Sequence, residues 1–87
     1  MLKVQKKNGI TERFAKEKIV VALLKNGNKL TVARKIARDV EKTLKGKTLV
    51  TTEEIRKEIL NKLEKINNEL YKKWLSYENS KKLWSFE

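Results

Sequence analysis

Hydrophobic residues follow two different periods along this chain, and the period changes near residue 15. Leu2, Val4, Ile10 and Phe14 lie at alternating positions on either side of an Asn-Gly pair, which is typical of a β-hairpin. From residue 15 onwards, apolar residues recur every three or four positions, as they do on one face of an α-helix. The pattern therefore predicts a hairpin followed by helices.

The loop of this hairpin decides which side chains share a face. A two-residue Asn8-Gly9 turn would put the apolar residues of the two strands on opposite faces. A three-residue loop that begins at Lys7, with Gly9 in the left-handed conformation, instead pairs Val4 with Glu12 and puts all the apolar residues on one face. Because a shift of one residue exchanges the two faces of a strand, we predict the three-residue loop.

The same register puts Lys6 and Glu12 on the inner face of the hairpin, where an unpaired charge is costly to bury. Two interpretations are open. The residues form a diagonal ion pair at the edge of the sheet, or a ligand lies between hairpin and helices and Lys6 meets an anion there.

Four helices are predicted after the hairpin. The first spans residues 15–25 and ends at Asn26-Gly27-Asn28, with a glycine that suits a helix C-terminus. Thr31 is the expected cap of the second helix, and Gly46 ends it. The apolar residues of the second helix recur every fourth position, with two alanines beside them, and they are Val32, Ala33, Ile36, Ala37, Val40 and Leu44.

The third helix opens with a capping box in which Thr51 and Glu54 are partners. Its apolar face is expected to contain Ile55, Ile59, Leu60, Leu63 and Ile66. Asn67-Asn68 interrupts the chain and caps a fourth helix, whose apolar residues are Leu70, Tyr71, Trp74, Leu75 and Tyr77.

Thr48-Leu49-Val50, between the second and third helices, is either a short extended connection or a third strand. Proline is absent and no stretch is low in complexity, so we predict no linker and no repeat. We expect residues 1–87 to form one free-standing α+β domain, mostly helical. In it, an N-terminal β-hairpin caps a four-helix bundle.

Composition excludes several classes of function. The chain has no cysteine and no histidine, which removes disulfides, thiol chemistry, the usual zinc sites and histidine acid/base catalysis. It also contains no P-loop and no nucleophile beside a base, so we expect binding without turnover. No apolar run approaches the roughly 20 residues of a membrane helix, and we expect a soluble, cytoplasmic protein without membrane contact.

The net charge of +11, from 22 Lys/Arg and 11 Asp/Glu, favours polyanions. Nucleic acid and nucleoside triphosphates are both of this kind. The excess lies along the chain rather than in one tail, so a solvated surface of the kind found in thermophiles is the alternative.

Taken in order, the short motifs resemble the ATP-cone, the nucleotide-binding regulatory domain of many ribonucleotide reductases and of the repressor of their genes. The matching segments are Val4-Gln5-Lys6-Lys7-Asn8-Gly9, Glu12-x-Phe14, Lys18-Ile19-x-x-Ala22-Leu23 and Val50-Thr51-Thr52-Glu53-Glu54-Ile55. The resemblance covers nearly the whole chain.

The resemblance implies a site for ATP or dATP, with any Mg²⁺ carried by the nucleotide. It assigns Lys6 and Lys7 to the phosphates, implies that Glu12 helps read the adenine, and encloses the base between Val4 and Ile19. The nucleotide-binding residues that it implies are Val4, Lys6, Lys7, Gly9, Glu12, Lys18, Ile19, Thr52 and Arg56, with Lys81 or Lys82 as a late basic position. We expect Ile19 to be an ordinary core residue as well, and Thr51 to be an ordinary helix cap as well. For Thr52, an ordinary helix-start role is the alternative.

Three positions depart from the family pattern. Lys7 replaces an arginine and so loses the planar fork that binds phosphate at two points. Ala15 replaces an Asp or Asn, which removes a helix cap worth about 1 kcal/mol. Asn8 replaces an Asp, and both residues suit the turn.

The resemblance implies a module that signals ATP or dATP through oligomerisation or through contact with a protein partner such as a reductase. Trp74, Trp84 and Phe86 are candidates for that contact, unless they only close the bundle. A basic nucleic-acid-binding, transcription-associated protein is the alternative function. A structural partner-binding protein without a working nucleotide site is a third.

Overall fold

The computed structural model describes residues 2–6 and 8–80, with side chains as far as Ser76. Its elements, in chain order, are β1 (Lys3–Gln5), β2 (Thr11–Arg13), α1 (Lys16–Lys25), α2 (Leu30–Leu44), β3 (Leu49–Thr51), α3 (Thr52–Ile66) and α4 (Asn68–Ser80). The predicted α+β class and the predominance of helix are confirmed.

The hairpin has the predicted three-residue loop. Val4 is opposite Glu12, and the Lys6 amide donates to the Ile10 carbonyl at 2.8 Å. Gly9 has a φ of +86°, and its amide donates to the Lys6 carbonyl at 2.9 Å. The Asn8 side-chain oxygen accepts a hydrogen bond from the Ile10 amide at 3.0 Å, which fixes the turn.

The third strand is present. β3 pairs with β1 in parallel, with Val50 opposite Val4, so the sheet order is β2-β1-β3 and β1 is central. Val4 is completely buried there. Because β1 and β3 are parallel, their carboxyl ends lie at the same edge of the sheet, where α3 begins directly after Thr51.

The end of α1 matches the sequence prediction. The Gly27 amide donates to the Leu24 carbonyl and the Asn28 amide donates to the Leu23 carbonyl, which is the hydrogen-bond pair of a Schellman motif. Gly27 has a φ of +91°, as this motif requires. At the other end, α1 begins at Lys16, and Ala15 supplies no side-chain cap.

The predicted cap of α2 was wrong. The helix begins at Leu30 with Lys29 at the N-cap position, so Thr31 lies inside the first turn. The reason is that the turn after α1 closes at Asn28, and the Ala33 amide already donates to the Lys29 carbonyl at 2.9 Å. α2 ends at Leu44, two residues before Gly46.

The starts of α3 and α4 are as predicted. Thr51 and Glu54 form the capping box, and the Asn67 side-chain oxygen accepts from the Glu69 amide at 2.8 Å. Ile66 does not belong to the buried face of α3, because 45% of it is exposed at the end of the helix. The side chain of Tyr77 lies outside the described part of the structure.

The core is formed by apolar residues from all of the helices and from β1 and β3. Its buried members are Val4, Ile19, Val20, Ala22, Leu23, Ala33, Ile36, Ala37, Val40, Leu44, Val50, Ile55, Ile59, Leu60, Leu63 and Trp74. The main helix contacts join α1 to α2, α2 to α3 and α3 to α4. A four-helix bundle capped by a hairpin is not confirmed, since the layer beside the helices is a three-stranded sheet.

Ile10 lies at the turn end of the hairpin and is 60% exposed, although its register puts it on the same face as Val4. The core therefore covers only part of that face. Among the residues described, no helix is long and apolar enough to cross a membrane.

Candidate functional site

Three charged side chains meet where the hairpin faces the first turn of α1. The Glu12 carboxylate accepts a hydrogen bond from the Lys18 ammonium group at 2.6 Å, and its other oxygen is 3.5 Å from the Lys6 ammonium nitrogen. Pairing of β1 with β2 places Glu12 opposite Val4, and Lys6 is two residues further along the same face. The side chains are 22% to 35% exposed, so the cluster is half-buried and open to solvent.

The two lysines keep Glu12 ionised. The hydrogen bond from Lys18 lowers the pKa of the Glu12 carboxyl below its ordinary value, and the nearby charges of Lys18 and Lys6 act in the same direction. Partial burial raises the pKa of Glu12, but by less than the two lysines lower it. Of the two interpretations of Lys6 and Glu12, the diagonal ion pair is therefore present, and Lys18 joins it.

Val4 and Ile19 lie beneath this cluster and are completely buried. They are part of the core that holds β1 against α1. In this conformation neither side chain presents a surface to a ligand, so the core role expected for Ile19 is observed.

The register of the sheet places Thr52, directly after the third strand, near the cluster. Gln5 is opposite Thr51 in the parallel pair, which makes Lys6 and Thr52 the next residues at that edge of the sheet. Thr52 is the first residue of α3 and is 3% exposed. The carboxyl end of β1 and the start of α3 thus lie together, an arrangement in which α/β proteins often bind ligands.

The first turn of α3 carries its own negative charge. The Thr51 hydroxyl accepts from the Glu54 amide at 3.1 Å, and the Glu54 carboxylate accepts from the Thr51 amide at 3.2 Å. The Thr51 amide and Lys47, whose ammonium nitrogen is 3.2 Å from the carboxylate, lower the pKa of Glu54. The Glu54 carboxylate already caps the first turn of α3. A ligand anion at this edge of the sheet therefore interacts more favourably with Lys6 and Lys18 than with that turn.

Arg56 lies one turn into α3, where its guanidinium group is 3.0 Å from the Glu53 carboxylate. Gly9 is exposed in the hairpin turn, where its role is conformational. Lys7, Lys81, Lys82, Trp84 and Phe86 fall outside the described residues. The structure thus brings Lys6, Glu12 and Lys18 into contact and sets Thr52 beside them.

Sequence reasoning missed two features of this region. It assigned Lys18 to an anionic ligand and did not expect its contact with Glu12. It also missed Lys47, which pairs with Glu54 across the β3 connection. The available signal was the segment Lys45-Gly46-Lys47 just before an extended stretch that leads to two glutamates.

Comparison with protein families gives one decisive match. The model of the ATP cone domain matches residues 2–83. The chain belongs to the ATP-cone family. The comparison with curated proteins gives no match.

An ATP-cone is a nucleotide-binding regulatory domain rather than a catalytic one, and members of the family bind adenine nucleotides. The sheet edge of this ATP-cone carries a net positive charge, since two lysines there share one carboxylate.

Proposed function

We propose that this ATP-cone binds ATP or dATP at the turn end of the hairpin and signals the bound nucleotide to an assembly partner. The observation that carries the proposal is the half-buried cluster of Lys6, Glu12 and Lys18. Its two cations and one anion leave a positive charge in a partly desolvated place, where an ionic interaction is stronger than in bulk water.

In this proposal, the nucleotide phosphates replace the Glu12 carboxylate as the anion that Lys6 and Lys18 face. Lys7, next to Lys6 in the sequence, adds a third positive charge. The first turn of α1 supports the same ligand, because Ala15 provides no side-chain cap and the amide groups of that turn favour an anion. Glu12, released from Lys18, is then available to accept a hydrogen bond from the adenine amino group.

Contact of Val4 and Ile19 with the base requires a movement, since both are completely buried. We propose that the nucleotide moves the hairpin away from α1 and breaks the 2.6 Å contact between Lys18 and Glu12. Thr52 and Arg56, at the start of α3, would border the opened site. A nucleotide changes assembly only if its affinity differs between the assembly states, and movement of the hairpin is one way to produce that difference.

Calorimetric titration with ATP, dATP and GTP tests the proposal. The intact protein should bind the adenine nucleotides saturably and more tightly than GTP. The double variant Lys6→Ala, Lys18→Ala should lose at least about tenfold in affinity, because each lysine contributes a charge-assisted contact. Lys35→Ala, Lys62→Ala is the matched control, since it also removes two lysines that face carboxylates, Asp39 and Glu58.

Equal weakening in both double variants would contradict the assignment of the site, because net charge alone would then explain binding. Equal affinity for all three nucleotides would contradict adenine recognition. We further propose that the nucleotide brings any Mg²⁺ and is not hydrolysed. Steady release of phosphate above the protein-free control, abolished by Lys6→Ala, would contradict the absence of turnover.

A further inference from the structure

Residues 29–47 carry a dense share of the positive charge. Residues 29–47 contain seven Lys/Arg and two Asp/Glu, and therefore carry +5 of the total charge of +11. In contrast, α3 contains four residues of each sign. The segment 29–47 consists of α2 and the turn after it, so this share of the charge lies along one helix.

Four of these cations form a row along the outer face of α2 and its C-cap, which we call the α2 row: Arg34, Arg38, Lys42 and Lys45. The first three recur at every fourth residue, which keeps them on one side of the helix over roughly 12 Å, and Lys45 follows directly after the helix end. All four are exposed, and the core residues of α2 lie on the opposite side.

Within the part of the chain that the structure describes, the α2 row differs from the neighbouring charges of α2 in its ion pairing. Lys35 is 3.4 Å from Asp39, and Glu41 is 3.7 Å from Lys16. Among the described residues, no member of the α2 row has a carboxylate within ion-pair distance. The two acids of α2 are thus directed to lysines outside the row.

A cavity of about 620 Å³ lies at the C-terminal end of the row. Leu2, Phe14 and Leu44 provide its apolar lining, and Lys42 and Lys45 belong to both the cavity and the α2 row. Glu41, which pairs with Lys16, also lines the cavity. Leu2 and Phe14 are at the end of the hairpin opposite its turn. The cavity is therefore separate from the cluster of Lys6, Glu12 and Lys18.

We propose that the α2 row and this cavity together bind single-stranded nucleic acid. The phosphates lie along Arg34, Arg38, Lys42 and Lys45, and one unpaired base enters the cavity against Phe14. A row of cations tracks a phosphate backbone, and an aromatic side chain beside it stacks on a base of any sequence. A duplex would place its phosphates along the row but no base in the cavity, because its bases are already stacked on one another. This proposal does not depend on nucleotide binding at the hairpin.

Fluorescence anisotropy with a mixed-sequence DNA strand of about 15 nucleotides, within the usual range of single-strand sites, tests this proposal. Neutralising the α2 row with Arg34→Gln, Arg38→Gln, Lys42→Gln and Lys45→Gln should lower the affinity by at least about tenfold. It should also reduce the slope of log K against log salt by up to about 3, since each phosphate contact contributes about 0.7.

The matched control removes the same net charge from other exposed sites, with Lys25→Gln, Lys57→Gln, Lys65→Gln and Lys72→Gln. It should retain affinity within about threefold, because those lysines make none of the proposed phosphate contacts. Equal loss in both variants, or no binding by the intact protein, would overturn the proposal. Unchanged calorimetric ATP affinity in the α2 row variant is expected, and loss of ATP binding there would overturn the separation of the two sites.

The cavity is tested with Phe14→Leu, which removes the ring and keeps an apolar side chain. Strand affinity should fall about fivefold or more, because stacking on an aromatic ring is lost, while thermal unfolding remains cooperative. The intact protein should also prefer the strand to its duplex. Unchanged strand affinity in Phe14→Leu, or equal binding of strand and duplex, would overturn the assignment to single strands.

Discussion

The Glu12 carboxylate lies between two ammonium groups, and this position makes its protonation a part of the folding equilibrium. The pKa of Glu12 is lower in the folded chain than in the unfolded chain, chiefly because Lys18 donates a hydrogen bond to it. Its contribution to the free energy of unfolding is therefore complete above the unfolded pKa near 4.5 and is lost as the pH falls through the folded pKa.

Glu12→Gln should make stability less sensitive to acid. Urea unfolding of the intact protein, followed from about pH 6 to about pH 3, should show a steeper loss of stability than the variant shows. Some loss remains in the variant, because the pKa of Glu54 is lowered as well. Glu64→Gln, on the exposed side of α3, is the control and should keep the steep loss. Identical pH dependence of Glu12→Gln and the intact protein would contradict this account of the cluster.

The contact between Lys6 and Glu12 could be predicted from the sequence, because alternation along a strand and the loop of the hairpin fix which residues are diagonal neighbours. The contact between Lys18 and Glu12 could not. It depends on the angle at which α1 leaves the sheet, and no local pattern in the sequence specifies that angle.

At the scale of elements, hydrogen bonds at the helix ends set where α2 and α3 begin. The Thr51–Glu54 box fixes the start of α3 at the edge of the sheet beside Lys6. Thr31 is of the same residue type but lies inside α2, where its hydroxyl caps no helix end. Substituting Thr51 and Thr31 separately therefore tests the assignment of the helix caps directly.

Thr51→Ala should lower the free energy of unfolding by about 1 kcal/mol, because the Glu54 amide loses its hydrogen-bond acceptor. Thr31→Ala should change it by less than about 0.5 kcal/mol or stabilise slightly, since alanine is the better helix former. Denaturant unfolding of both variants measures the difference. A larger loss in Thr31→Ala than in Thr51→Ala would show that the helix starts are wrongly assigned.

The sequence identified the capping box because its two partners are three residues apart and are read from one local segment. It misplaced the start of α2 because that start depends on where the preceding turn ends. The Schellman motif over Asn26–Asn28 uses the chain up to Asn28, and the helix begins almost immediately afterwards.

At the scale of the whole molecule, the spacing of hydrophobic residues along the chain predicted the α+β class, the hairpin and four helices. The parallel pairing of β3 with β1 remained open, because it joins segments about 45 residues apart and no local signal specifies it. The exposure of Ile10 was also missed, since the strand pattern does not show how far the core extends.

The α2 row could have been found from the sequence by counting charge along segments rather than over the whole chain. The cavity beside it could not, because Leu2, Phe14 and Leu44 come from three separated segments.

The central claim is that the hairpin edge of this ATP-cone is an adenine-nucleotide site, and amide NMR during titration with ATP tests it most directly. We predict saturable shifts at Lys6, Gly9, Lys18 and Thr52, with smaller shifts for GTP at the same concentrations. The amide of Arg38, on the outer face of α2, should stay nearly unchanged. Absence of shifts at the hairpin edge, or shifts centred on α2 and equal for ATP and GTP, would contradict the account.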